Sequence, residues 1–297
     1  MSRTLSPSTG RRYGVRMVAT EWEVGRSTVY AGLRRECRLE VARKRGPKTD
    51  HTDEELTALI KADLEGSPFV GEGHRKVWAR LRVAGVRTSL RRVLRLMREA
   101  GLLAPSRQVR VLGPRNHEGT ILTERPDEMW GTDATSAWTT KEGHVTIFVA
   151  VDHCTAEGVG IHAAKVGNRF EALEPIRQGV RERFCVYGPD AARGLKLRHD
   201  HGSQYVSDAF QDELAFLGIE SSPAFVRAPE GNGCAERFIR TLKEQLLWVR
   251  PFETVEELRL ALHAWLKVYN ERWLIERHGH RSPAQVRLDL LASSVAA

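Results

Sequence analysis

From Trp130 to Ser222 the chain reads as an ordered alternation of strands and helices, and that order restricts the fold more than any other feature. Trp130–Trp138 and His144–Asp152 are rich in β-formers and flank Thr139-Thr140-Lys141-Glu142-Gly143, a loop of hairpin length. Val159–Ala163 predicts a third strand. Asn168–Phe184 predicts a helix that has to accommodate Pro175, and Leu195–His199 a fourth strand. Asp208–Leu217 reads as a helix stopped by Gly218, with Ile219–Ser222 a short fifth strand. Two helices then close the chain, Asn232–Trp248 and Thr254–Asn270, the second opened by a capping box at Thr254 and Glu257. The expected fold is α/β: a five-stranded mixed sheet with helices, in the ribonuclease-H order.

The chain before this block has a different texture. Tyr13–Trp22 and a segment capped by Ser27 or Thr28 and running to Cys37 suggest a short helix-turn-helix, with Gly25 at the turn and Arg34 and Arg35 on its polar face. Arg43-Lys44-Arg45-Gly46-Pro47-Lys48 reads as a basic linker. Three more helices follow. A capping box at Thr52 and Glu55 opens the first, His74–Ala84 forms the second, and Thr88 is placed to cap the third. In the third, Leu90, Val93, Leu94 and Met97 recur at helical spacing while Arg91, Arg92, Arg95 and Arg98 take the remaining positions. Small all-α, helix-turn-helix-like DNA-binding modules are therefore expected ahead of the sheet. The predicted division is 1–48 for the basic segment and linker, 49–104 for the helical module, 105–124 for a Pro- and Gly-rich connector, and 125–297 for the core with its C-terminal helices.

Charge follows the same division. Residues 1–124 hold 25 Lys and Arg against 14 Asp and Glu, whereas 125–297 hold 21 against 24. A basic front on a near-neutral remainder fits an anionic polymer such as double-stranded DNA. The four cysteines, Cys37, Cys154, Cys185 and Cys234, form no C-x-x-C pair, which argues against a zinc ribbon or a disulfide framework. No stretch has the length of a membrane span or the pattern of a signal peptide, so a cytoplasmic protein is expected.

Three acids stand out by position. Asp133 lies in Trp130-Gly131-Thr132-Asp133 between small neighbours on the first strand. Asp200 ends the fourth strand before His201-Gly202-Ser203-Gln204-Tyr205. Glu236 opens a helix about 35 residues further on. Hard carboxylate oxygens suit Mg²⁺, and three of them drawn from three elements can hold two divalent cations about 3.5–4 Å apart over a scissile phosphate. Asn232, Arg240 and Lys243 stand at helical spacing from Glu236 and so share its face, an amide and two cations suited to a phosphodiester. Asp152 is better read as a turn former and Cys234 as a small buried residue. Glu244 points away from the Glu236 face. His199 and His201 flank an acid, but a metal-activated hydroxide needs no histidine base.

The motifs Trp130-Gly131-Thr132-Asp133, His199-Asp200-His201-Gly202-Ser203-Gln204-Tyr205 and Asn232-x-x-x-Glu236-Arg237-Phe238, with Leu242-Lys243, resemble the integrase core of bacterial insertion-sequence transposases. The ending Tyr269-Asn270 … Arg277-His278-Gly279-His280-Arg281-Ser282-Pro283-Ala284 is similar to the close of that core. Gly73-His74-Arg75-Lys76-Val77-Trp78 and Val93-x-Arg95-Leu96-Met97-Arg98-Glu99 resemble the helical module before it. The chain departs at Gly231, where many relatives carry an acid, and at Glu271-Arg272-Trp273-Leu274-Ile275 after Tyr269-Asn270. The resemblance implies Asp133, Asp200 and Glu236 as catalytic metal ligands, with two Mg²⁺ per site and Mn²⁺ as a substitute. It implies cleavage at element ends and strand transfer into target DNA by a homo-multimer, with room for an upstream-frame DNA-binding partner, at the bacterial nucleoid. The competing expectations are a catalytically silent repressor derived from a transposase and a plain metal-dependent nuclease of the same fold.

Overall fold

In the computed structural model, residues 4–37, 50–105, 123–224 and 232–295 are described. Five strands, β1 (Met129–Thr139), β2 (Gly143–Asp152), β3 (Gly158–Ala164), β4 (Lys196–His199) and β5 (Glu220–Pro223), form one sheet in the order β3-β2-β1-β4-β5. The first three run antiparallel as a meander, and β4 and β5 add parallel to β1. This is the mixed, ribonuclease-H-like sheet expected from the element order.

Side-chain alternation divides the core in two. Successive strand residues point to opposite faces. On β2, Phe148 and Ala150 pack against Leu173, Ile176 and Val180 of helix α6 (Arg169–Phe184) and Phe210 and Leu214 of α7 (Asp208–Leu217). Ile147, Val149 and Val151 face the other way, onto Phe238, Ile239 and Leu242 of α8 (Gly233–Leu242) and Leu258, Leu262 and Trp265 of α9 (Val255–Arg272). Pro175 sits inside α6 without ending it. Its carbonyl oxygen lies 2.0 Å from where a Cβ on Gly160 would be, so helix and strand approach this closely only because residue 160 has no side chain.

The free edge of β3 is closed by side chains from the helices. Asn270 brackets Gly158, accepting from its N–H at 2.9 Å and donating to its carbonyl at 2.8 Å. Gln178 accepts from Ile161 N–H at 3.1 Å, and Arg259 donates to the Ala163 carbonyl at 2.8 Å.

Three elements depart from expectation. The segment after Glu236 is α-helical only to Leu242 and continues as a π-turn over Lys243–Leu247, closed by Trp248 N–H donating to the Lys243 carbonyl at 2.9 Å. The expected second capping box is half-formed. Thr254 accepts from Glu257 N–H, but the Glu257 carboxylate takes the N–H of Glu253. A third closing helix, α10 (Pro283–Val295), was not anticipated. Ser282 and Gln285 cap it reciprocally at 3.0 and 3.3 Å, with Pro283 at its first position.

Residues 51–105 form a three-helix module, α3 (Asp53–Glu65), α4 (His74–Val83) and α5 (Leu90–Glu99), around Leu56, Ile60, Val77, Val93 and Met97. The Thr52/Glu55 capping box is present in full, whereas α5 is capped by Ser89, one residue beyond the expected Thr88. Among the described residues, several contacts join the module to the sheet domain. The Gln245 side chain accepts from Val70 N–H at 2.8 Å and donates to the Val70 carbonyl at 3.0 Å. The Lys76 ammonium lies over the Trp273 ring, which Phe69 meets edge-on, and Arg75 pairs with Glu276. The described residues from His51 onward form one compact unit, and those before it another, which holds α1 (Val15–Glu21) and α2 (Arg26–Cys37). Helix α2 starts at Arg26, so Ser27 and Thr28 lie inside it and do not cap it.

Candidate active site

Strand parity places the acids. Even-numbered Trp130 and Ala134 of β1 pack on the α6 side, so Gly131 and Asp133 face α8. On β4, Leu197 packs on the α6 side, which turns Arg198, and Asp200 two residues on, toward α8. Gly131 pairs with Arg198 in the parallel β1–β4 ladder. Carried two residues further, the same register sets Asp133 beside Asp200. Glu236 lies in the first turn of the helix on that face.

The approach of α8 to β1 depends on residue 131 being glycine. A Cβ there would lie 2.7 Å from Asn232 Oδ1 and 2.7 Å from His153 Nε2. Asn232 is buried and its amide donates to the Thr132 carbonyl at 2.8 Å, which ties the start of α8 to the strand beside Asp133. Asn232 was expected to contact DNA. Its side chain is instead taken up by this contact.

The electrostatics are those of an anionic cluster. Asp133 is raised to about 6, chiefly by burial and then by the charges of Asp200 and Glu236, against the Ala134 N–H and the Lys243 ammonium, which lower it. Glu236 is also raised by burial. Asp200 accepts from Gly202 N–H at 2.9 Å, which orients its carboxylate at the head of the turn. Among the described residues no three His, Cys, Asp or Glu side chains stand as a ready metal cage. The donors are nevertheless hard oxygens whose mutual repulsion a cation would relieve, so in kind they fit a divalent metal.

Neighbouring polar groups are committed to the scaffold. His199 is buried and its pKa lowered by burial; Nδ1 faces the Asp200 carbonyl at 2.7 Å and Nε2 the Ser221 hydroxyl at 2.9 Å. A carbonyl only accepts, so Nδ1 carries the proton and Nε2 accepts from Ser221. His201 Nε2 meets the Ala224 carbonyl at 2.7 Å. Asp152 is buried and accepts from Asp127 N–H and from Thr155 N–H and Oγ1, the turn-forming role read from sequence. Cys234 is buried and its thiol pushed up by burial. Tyr205, given no role at the sequence level, is fully buried below the acids, where burial and both aspartates keep its phenol neutral.

The cationic residues separate. Arg240 is paired with Glu244 at 3.0 Å, whereas Lys243 has no ion-pair partner among the described residues. On α5, Arg92 and Arg95 are both held by Asp53, at 2.7 and 2.6 Å, while Arg91 and Arg98 are exposed. The side chains of Arg34 and Arg35 lie outside the described residues. Beside the Asp200 turn, Gly167–Phe170 and Ser203, Gln204 and Ser207 line a cleft of about 410 Å³.

Residues 217–283 match the model of the family described as integrase core domain, and 52–110 that of the HTH-like domain. The first match contains Glu236 but neither aspartate. Transposase InsD for insertion element IS2A/D/F/H/I/K of Escherichia coli is 26% identical over 281 residues, 93% of this chain and 91% of InsD. An insertion element IS2A 48.2 kDa protein of Escherichia coli is 26% identical over 286 residues; the match takes in 94% of this chain but 66% of that protein. Among solved structures, the catalytic core domain of BIV integrase aligns with 57% of this chain and 99% of its own, at 23% identity and a TM-score of 0.41. The HTLV-2 integrase catalytic core domain, solved in complex with magnesium, aligns with 55% of this chain and 98% of its own, at 18% identity and a TM-score of 0.40.

Proposed function

We infer that this chain belongs with the insertion-element transposases that carry an integrase core domain, and that it cuts DNA at the ends of such an element and joins them to a target. The observation that carries this reading is Asp133 on β1 and Asp200 just beyond the end of the adjacent, parallel β4, on the face crossed by the helix of Glu236. These three would hold two Mg²⁺ ions, with Mn²⁺ as a substitute; bound there, the ions would polarise the phosphodiester and lower the pKa of the attacking hydroxyl. Lys243, free of ion pairs among the described residues, would balance charge on the phosphate. Asn232 holds α8 against β1.

In the first step water attacks the phosphorus at the element end and displaces the element's 3′-oxygen, which leaves a 3′-hydroxyl on the element and the phosphate on the flanking strand. In the second that hydroxyl attacks a target phosphodiester and displaces a new 3′-hydroxyl, so each step breaks one P–O bond and makes one. The division 1–48, 49–104, 105–124 and 125–297 would then separate two DNA-binding modules, a connector and the catalytic core. Exposed Arg91 and Arg98 would meet DNA first, and Arg92 and Arg95 only if DNA draws them from Asp53. Paired handling of two ends calls for a homo-multimer acting at the bacterial nucleoid, alone or with an upstream-frame DNA-binding protein.

The test is strand transfer on a labelled element end with Mg²⁺ or Mn²⁺. Joined product is expected from the unaltered chain and not from Asp133→Asn or Glu236→Gln, with DNA binding by both variants largely retained. Nicking without joining would replace this reading with a nuclease, and binding without chemistry with a repressor.

A further inference from the structure

The link between Val70 and Gln245 is unusual for a contact across 175 residues. One side-chain amide meets both the N–H and the carbonyl of a single backbone residue, at 2.8 and 3.0 Å. Two bonds to one residue fix orientation as well as distance, as a pair of strand partners would. The amide belongs to the π-turn Lys243–Leu247, which prolongs the helix of Glu236. π-turns are rare and concentrate at functional sites, because an inserted residue swings the side chains around it to new directions. Here the turn opens with Lys243, two residues before Gln245 and seven after Glu236, about two helical turns along the same face. Arg240, one turn earlier, is already spent on Glu244.

We propose that Gln245 is a positioning residue: by bracketing Val70 it fixes the π-turn that aims Lys243 at the acids, and so couples the seat of the helical module to the phosphate contact made there. Val70 lies in the loop between α3 and α4, beside Lys76 over Trp273 and Arg75 on Glu276, so the module rests on the same end of the core. A shift of α3–α5 would be passed to Lys243 through the Gln245 amide. This inference rests on the reading that the site holds a phosphodiester of DNA.

The salt dependence of DNA binding tests it without any cleavage. The slope of log affinity against log salt counts the phosphates that the protein neutralises, and losing one phosphate contact lowers it by about one. Gln245 is uncharged, so replacing it changes the slope only by displacing a cation. The intact chain would be titrated on a fluorescent duplex of arbitrary sequence over a range of KCl without divalent metal. Lys243→Ala, Gln245→Ala and the double variant are all expected to lose about one unit of slope, and the same unit. Gln245→Met, which keeps length and net charge, should behave as Gln245→Ala with an unchanged melting curve, which guards against misfolding. A full slope in both Gln245 variants, or a double variant that loses twice as much, would overturn the coupling and leave transposition standing. No duplex binding by the unaltered chain would overturn both.

Discussion

Asp133 carries a stability cost that follows from its position. Its ordinary pKa of 3.8 is raised to about 6 in the fold by burial first and by its acidic neighbours after that. Below pH 4 the carboxyl is protonated in both folded and unfolded chains and contributes nothing. Between 4 and 6 the unfolded chain ionises while the native one resists, so stability falls as pH rises; above 6 the full penalty of about 3 kcal/mol stands. Asp133→Asn removes the ionisation and keeps an oxygen for the Ala134 N–H. The variant should therefore melt higher than the unaltered protein at pH 7, and the gap should close as pH falls below 4. Calorimetry across that range is the check; equal melting at pH 7 would mean that the site does not strain its own ligand. At this scale the sequence offers the three acids as candidates because their chemistry is carried by residue type. It did not reveal that Asn232 is buried or that Asp53 holds Arg92 and Arg95, since those partners lie 100 and about 40 residues away.

Among the elements, α10 shows which ion pairs matter. Arg287 reaches from it to Asp127 and Glu157, and Arg183 of α6 completes the pairing of Glu157 at 2.8 Å. All of these side chains are largely buried. Arg287→Ala would leave the buried Asp127 carboxylate without its cation and Glu157 with Arg183 alone, and should cost about 3–5 kcal/mol. Arg281→Ala breaks the pair with Asp289 on the same helix, where both side chains are about half exposed, and should cost under about 1 kcal/mol. Urea unfolding of the two variants side by side measures the difference. The helix itself was legible in principle. Ser282-Pro283-Ala284-Gln285 is a capping box with proline at the first position, a signal masked by the motif that the same residues close. Strand faces were readable from period-two alternation, and the Thr52 cap from its partner Glu55. The π-turn was not, because a five-residue excursion leaves no mark on a 3.6-residue pattern.

At the scale of the molecule, three apolar clusters stay separate: one on each face of the sheet, and one inside α3–α5. The helical module joins the rest through an amide bracket, an exposed ion pair, Lys76 over Trp273 and a small aromatic seam of Phe69 on Trp273 and Trp78 on His280, a far smaller joint than the cluster on either face of the sheet. Hydrogen exchange should accordingly find amides of α3–α5 opening at lower free energy than those of β1 and β2. Equal protection throughout 51–295 would show a single cooperative unit instead. A protein that has to seat a DNA-reading module without disturbing its acids gains from such a division.

Any open sheet has two borders at which a foreign strand can add and start a fibre, and the risk grows when many copies crowd onto one stretch of DNA. Here Asn270, Gln178 and Arg259 already occupy backbone groups along β3. The opposite border, β5, is four residues long and ends in Pro223, which has no N–H to offer. If copies gather at an element's ends as the proposed function requires, they would meet through side chains and nucleic acid, with both sheet borders guarded against runaway strand addition.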